Sequence, residues 1–191
     1  LAESELSYRD VLFLADGSRS MREKLKTAGM RKIEVVKMGL KSYLLENWPI
    51  SYYPHPLRVG IAFYRLLGTP GSTDIEVIVP LNPPPPTLEL YRLDEFEPKG
   101  GSPLADAVRY GISVISESTR PSRRLKLISD GGNDGEKLDS VLEEVKASSL
   151  AIDTIELSNS ASKELRDLAT TSGGTYTRPT NLASFLEALK S

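Results

Sequence analysis

An unbroken apolar run, Val11-Leu12-Phe13-Leu14-Ala15, stops at Asp16-Gly17-Ser18-Arg19-Ser20. A run this short, closed by a turn signal, reads as a strand buried on both faces. Such a strand needs helices above and below it, which points to an α/β sheet. In open α/β sheets, ligands bind beyond the carboxyl ends of the strands. Here that end carries the Asp16 carboxylate and the hydroxyls of Ser18 and Ser20. Small hard oxygen donors suit a hard cation such as Mg²⁺. The same residue types also make turns and helix N-caps, so this stretch alone leaves both readings open.

The rest of the chain alternates two periodicities. Arg22 to Glu46 predicts one helix, with Ile33, Val36, Leu40 and Leu44 on its buried face and Gly29 and Gly39 tolerated within it. Ile50 to Pro56, with Trp48 before it and Tyr52, Tyr53 and His55 within it, reads as an aromatic, proline-rich loop packed under the sheet, with a partner-binding patch as the alternative. Leu57–Tyr64 predicts a second strand. Thr73–Val79, separated from it by a Gly/Pro turn, predicts an antiparallel edge partner. Pro83 to Pro86 reads as a stiff extended connector, with a proline-recognition ligand as the alternative. Leu88 to Phe96 predicts a short helix. Ser102 is placed to cap the next helix, with Pro103 at its first position and the end near Ser118. The basic stretch Arg120 to Lys126 reads as a solvated strand edge and not as a nucleic-acid site. Leu125–Ile128, Ala151–Leu157 and Thr175–Arg178 predict further strands. Glu136–Ser148, Ser160–Ser172 and Leu182–Lys190 predict the helices among them, with Asn181 as the last N-cap.

The predicted fold class is therefore a doubly wound α/β domain. Its six-stranded, mostly parallel sheet has helices on both faces and the order 3-2-1-4-5-6, with Thr73–Val79 antiparallel at the edge. A length of 191 residues suits a single domain spanning residues 1–191. The start at Leu1 rather than Met is what a piece of a longer protein would show. The net charge of −2 gives no electrostatic footprint for nucleic acid. No apolar stretch approaches the roughly 20 residues needed to span a bilayer, and none reads as a signal peptide. The absence of Cys excludes disulfides, thiolate metal sites and a Cys nucleophile, and a single His, His55, leaves little material for a triad or a multi-His zinc site.

Three loops carry oxygen-bearing side chains where ligands would gather: Asp16/Ser18/Ser20, Ser102 after Gly100-Gly101, and Asp130 in Ser129-Asp130-Gly131-Gly132. If the strands before Asp16 and Asp130 are neighbours, the loops converge, and an oxygen-only donor set suits Mg²⁺ or Mn²⁺. DGSRS, GGSPLADAV and LISDGGNDG, in this order, resemble the three loops of the metal-ion-dependent adhesion site in von Willebrand factor A-type domains, the family that includes integrin inserted domains. RVGIAFY is similar to that family's second strand, and SGGTYTRPTNLASFLEAL to its closing strand and helix. The resemblance covers Tyr8 to Lys190. It departs at Ser102, where the family usually has Thr; the hydroxyl is kept and the β-branch that stiffens χ1 is lost.

The resemblance implies that Ser18, Ser20 and Ser102 ligate the cation directly, while Asp16 and Asp130 act largely through water. Neutral hydroxyls would leave the ion's charge poorly compensated, so that an open position attracts a partner's Asp or Glu. The function it implies is metal-dependent binding of a protein partner, without enzymatic activity. Two alternatives stay open: a metal-independent scaffold, and the binding arm of an ATPase or chelatase-type complex. A dehalogenase-type phosphatase reading of LFLADGS lacks its nucleophilic Asp, which would stand at position 14, where the chain has Leu; a metal-dependent, phosphatase-like hydrolysis without a covalent step stays open as a remote alternative.

Overall fold

The computed structural model describes residues 8–47, 57–82 and 88–191; the aromatic stretch Trp48 to His55 and the connector Pro83 to Pro86 lie outside them. The main sheet is built from β1 (Arg9–Asp16), β4 (Leu57–Leu67), β5 (Ser72–Asn82), β6 (Ser122–Ser129), β7 (Ile152–Glu156) and β8 (Tyr176–Thr177). Its order is β5-β4-β1-β6-β7-β8, six strands with β1 at the centre. This is the order that the sequence predicts. β4 and β5 pair antiparallel, and the pairs β1–β4, β1–β6, β6–β7 and β7–β8 are parallel. Pro80 lies on β5 near a register shift. A residue that cannot donate to the ladder is tolerated there because β5 is an edge.

The central strand separates two cores. Val11, Phe13 and Ala15 point to one, where α1 (Lys32–Asn47), α2 (Leu88–Glu95) and α6 (Leu182–Lys190) supply Val36, Leu40, Leu93 and Phe185. Leu12 and Leu14 point to the other, covered by α3 (Leu104–Ser116), α4 (Leu142–Ser148) and α5 (Lys163–Ser172) through Val108, Val145 and Leu168. Alternating apolar side chains on a strand covered on both faces account for the unbroken run. Asn181 caps α6 reciprocally with Ser184, as its type and position predict.

The helix expected from Arg22 to Glu46 is shorter. A 3-10 turn, Arg19–Arg22, is followed by a small hairpin of β2 (Lys24–Leu25) and β3 (Met30–Arg31), and α1 begins only at Lys32. Gly29 has a positive φ of 70° and turns the hairpin, rather than being absorbed into a helix. The apolar repeat that announced the helix starts at Ile33, so nothing upstream required helix. Met21 and Leu25 are instead buried in the core as anchors of this excursion.

The basic stretch Arg120 to Lys126, most of which lies on β6, is also not a solvated edge throughout. Lys126 is buried, pairs with Asp153 at 3.4 Å and donates to the carbonyl oxygens of Ala188 and Ser191 at the end of α6. Arg124 also pairs with Asp153, at 3.5 Å, and Arg120 with Asp10 at 3.3 Å. These cations neutralise buried carboxylates at the amino-terminal end of the sheet.

Candidate metal centre

At the carboxyl end of β1, Asp16 is fully buried. The next residue is bound into the neighbouring strand, with Gly17 N donating to Tyr64 O at 2.8 Å. A Cβ at position 17 would stand 2.6 Å from the Phe96 ring, so a side chain there would collide with the core. Ser18 N then turns back to donate to Asp16 Oδ1 at 2.8 Å. This is the local turn that Asp favours. The hydroxyls of Ser18 and Ser20 meet at 3.0 Å.

Backbone bonds stitch the second loop to the first. Arg19 N donates to Gly100 O at 3.0 Å, and Lys99 N donates to Gly17 O at 2.9 Å. Ser102 is buried, and its hydroxyl donates to Asp16 Oδ2 at 3.0 Å. It makes no side-chain cap on α3, whose N-cap is Pro103. The expectation that Ser102 caps that helix is therefore corrected: α3 begins only at Leu104, which puts Ser102 one residue outside the N-cap position, and its hydroxyl is turned to the Asp16 carboxylate instead.

The third loop leaves β6 beside the first because Ala15 and Ile128 are register partners. Ser129 Oγ donates to Asp16 Oδ2 at 3.4 Å. Asp134 N donates to Ser102 O at 2.7 Å, and Ser102 N donates to Asp134 Oδ2 at 2.9 Å, which clamps the second loop to the third. Asp130 is placed differently from Asp16. Its Oδ1 accepts from Gly132 N at 3.2 Å, and its Oδ2 pairs with Lys32 Nζ at 3.0 Å. The structure thus brings Asp16, Ser18, Ser20 and Ser102 into one hydrogen-bonded group, with Asp130 close enough for its charge to act on Asp16.

Burial, and then the negative charge of Asp130, push Asp16 up to about 7 despite its hydrogen bonds from Ser18 and Ser102. Among the described residues no Lys or Arg forms an ion pair with Asp16. Tyr64, its register partner on β4, is buried below it. Among the described residues the Tyr64 hydroxyl has no hydrogen-bond partner, and burial together with the Asp16 charge raises its phenol well above the ordinary value. A buried carboxylate without a cation, faced by a second carboxylate and ringed by hydroxyls, is a donor set that suits a small divalent ion. Among the described residues no three His, Cys, Asp or Glu side chains gather as a metal site, so the donors available here are mainly hydroxyls.

Four neighbours of this group escape a reading by motif. Ser129 directly precedes Asp130 in the chain and could have been suspected from that alone. Asp134 lies in the same glycine-rich loop. Tyr64 ends an apolar strand and reads as core. Lys32 has no local signal, because only the β2–β3 hairpin carries it to Asp130.

The model of the von Willebrand factor type A domain matches residues 10–190, and the chain belongs to this family. Domains of the family are in general protein-interaction modules rather than enzymes. Comparison with curated protein sequences gives no match. Among solved structures, the chain is similar to the SpRpn10 VWA domain, with a TM-score of 0.67 at 12% identity over 96% of this chain and 95% of that one. It is similar also to a serine-substituted aerotolerance-related membrane protein from Bacteroides fragilis, with a TM-score of 0.66 at 17% identity over 95% and 96%. A von Willebrand factor type A protein from Catenulispora acidiphila gives a TM-score of 0.72 at 15% identity, over 96% of this chain but 41% of that protein. At these identities the likeness is one of fold. Among the described residues no helix is long and apolar enough to cross a membrane.

Proposed function

We propose that this domain binds a protein partner through a divalent cation, Mg²⁺ or Mn²⁺, held at Asp16, Ser18, Ser20, Ser102 and Asp130. The observation that carries the reading is the buried Asp16 carboxylate, which among the described residues meets hydroxyls and a backbone N–H but no basic side chain. When bound, the cation supplies a Lewis-acidic position open to one further anionic oxygen. Asp16 accepts from the Ser18 backbone N–H and from the Ser102 hydroxyl, which fixes both residues beside the site. Neutral hydroxyls leave the positive charge at the rim uncompensated, and a partner's Asp or Glu is the simplest group to complete it.

Calorimetry with Mn²⁺ tests the site directly, with acetate added as a stand-in for the partner carboxylate. Binding is expected to the folded domain and to be lost in Ser18→Ala, whose urea midpoint should stay close to wild type because Ser18 is held through its backbone N–H and its hydroxyl meets that of the half-buried Ser20. Absence of Mn²⁺ binding to the wild-type domain, with and without acetate, would sink the proposal.

A further inference from the structure

Lys32 brings a buried positive charge to the edge of this centre. Its Nζ lies 3.0 Å from Asp130 Oδ2 and 3.5 Å from the Ser20 carbonyl oxygen, and the Lys32 and Asp130 side chains are only 5% and 4% exposed. The ammonium also lies 3.3 Å from Glu23 Oε2, on a side chain that is 68% exposed. The position is built by the fold. Lys32 N donates to Glu23 O at 2.9 Å across the base of the β2–β3 hairpin, which sets the start of α1 beside the third loop.

We infer that Lys32 is a built-in competitor of the divalent cation, an inference that rests on the metal-binding reading above. The ammonium occupies one oxygen of Asp130 and a backbone oxygen of Ser20, two residues that a cation at the centre would share. A monovalent and a divalent positive charge that share the Asp130 carboxylate, in surroundings largely shut off from solvent, repel strongly and are poorly screened by salt. Lys32 therefore holds Asp130 neutralised in the metal-free domain and lowers the site's affinity for the ion. Glu23 provides the second stop. When the ion binds, the ammonium shifts its pairing from Asp130 to the exposed Glu23 carboxylate. The affinity of the site is then set by the exchange of one cation's partner, and an incoming partner carboxylate, by reducing the net positive charge, favours the occupied state.

The test is Mn²⁺ calorimetry on wild type, Lys32→Met, Lys32→Arg, Glu23→Gln and the Lys32→Met/Glu23→Gln double variant, with urea unfolding of each to confirm the fold. Lys32→Met keeps the length of the side chain and removes the charge, and is expected to tighten Mn²⁺ binding at least about tenfold. Lys32→Arg keeps the charge and should stay near wild type. Glu23→Gln removes the second stop and is expected to weaken binding about two- to fivefold, an effect that vanishes in the Lys32→Met background because the two residues act as a unit. Equal Mn²⁺ affinity in wild type and Lys32→Met overturns this role of Lys32 and leaves the metal centre standing. Weaker binding by Lys32→Met makes the lysine a support of Asp130 and also overturns it. No binding by either overturns both readings, whereas binding by Lys32→Met alone is the strongest form of the expected result.

Discussion

Strand β1 carries a buried aspartate at each end, and the two are treated oppositely. Asp10, at the amino-terminal end, accepts from Arg58 Nε at 2.8 Å and pairs with Arg120 at 3.3 Å. Burial works against its charge, but the Arg58 hydrogen bond and the two positive charges win, and its carboxyl is held below the usual range. Asp16, at the carboxyl end, is likewise closed to solvent and hydrogen-bonded, but among the described residues no guanidinium reaches it, and Asp130 adds a like charge. Its carboxyl moves the other way. The same residue type on one strand is neutralised by the protein at one end and left uncompensated at the other. The uncompensated end is where the fold admits ligands, and the difference supports an external cation there.

The largest expected effect breaks the comparison at its protein-neutralised end. Asp10→Asn leaves Arg58 and Arg120 facing a neutral amide and should destabilise by about 2–3 kcal/mol. That is below the ~3–5 of a fully buried pair, because Arg58 is 29% exposed and regains water. Asp16→Asn removes an uncompensated buried charge and should leave metal-free stability unchanged or raised. Urea midpoints at neutral pH separate the two, and equal destabilisation by both would erase the contrast.

At the other end, Asp130→Ala removes a carboxylate that orients the third loop and should cost about 10–100-fold in Mn²⁺ affinity. The titration is to be followed in a low-salt buffer, and an unchanged affinity would take Asp130 out of the centre.

The pH dependence of stability sharpens the comparison, because the two signs are opposite. The Asp10 carboxyl is lowered in the fold, so its contribution is present above the ordinary value of 3.8 and lost as pH falls through the lower folded value. The Asp16 carboxyl is raised to about 7 from 3.8, so the fold binds its proton more tightly than the unfolded chain does. Its contribution is present below about pH 4 and lost as pH rises through about 7. Metal-free unfolding from pH 3 to 8 should therefore show the fall on the acid side flattened in Asp10→Asn, and the fall between about pH 4 and 7 flattened in Asp16→Asn.

The smallest effect is expected from Ser102→Thr. The hydroxyl that donates to Asp16 is kept and its rotamer restricted, so Mn²⁺ affinity should hold or rise slightly. A large loss would mean that the buried position has no room for the added methyl.

The sheet was legible because its evidence is local. Val11–Ala15, Leu57–Tyr64 and Leu125–Ile128 are apolar runs of strand length, and the helices between them repeat at helical spacing. The short turn before β5 made that strand antiparallel and therefore an edge, which is where it lies. Asp16, Ser18, Ser20, Ser102 and Asp130 were legible as candidates because each stands in a turn or loop beside a strand or helix end. The hairpin between Arg22 and Lys32 was not legible. Its strands are two residues each, too short to carry a period, and the anchoring of Met21 and Leu25 in the core decides their course.

What the sequence by itself determined is the alternation of elements, the central place of β1 and the residue types at the ends of the strands, since burial patterns and turn chemistry act over a few neighbouring residues. What only the tertiary structure decided is how charge is distributed among those residues. Arg58 and Arg120 reach Asp10, Lys32 reaches Asp130, and no basic side chain among the described residues reaches Asp16. Electrostatic pairing depends on distances of a few ångströms between segments far apart in the chain, such as Lys32 and Asp130. Those distances exist only once the sheet is assembled and the hairpin has set the start of α1.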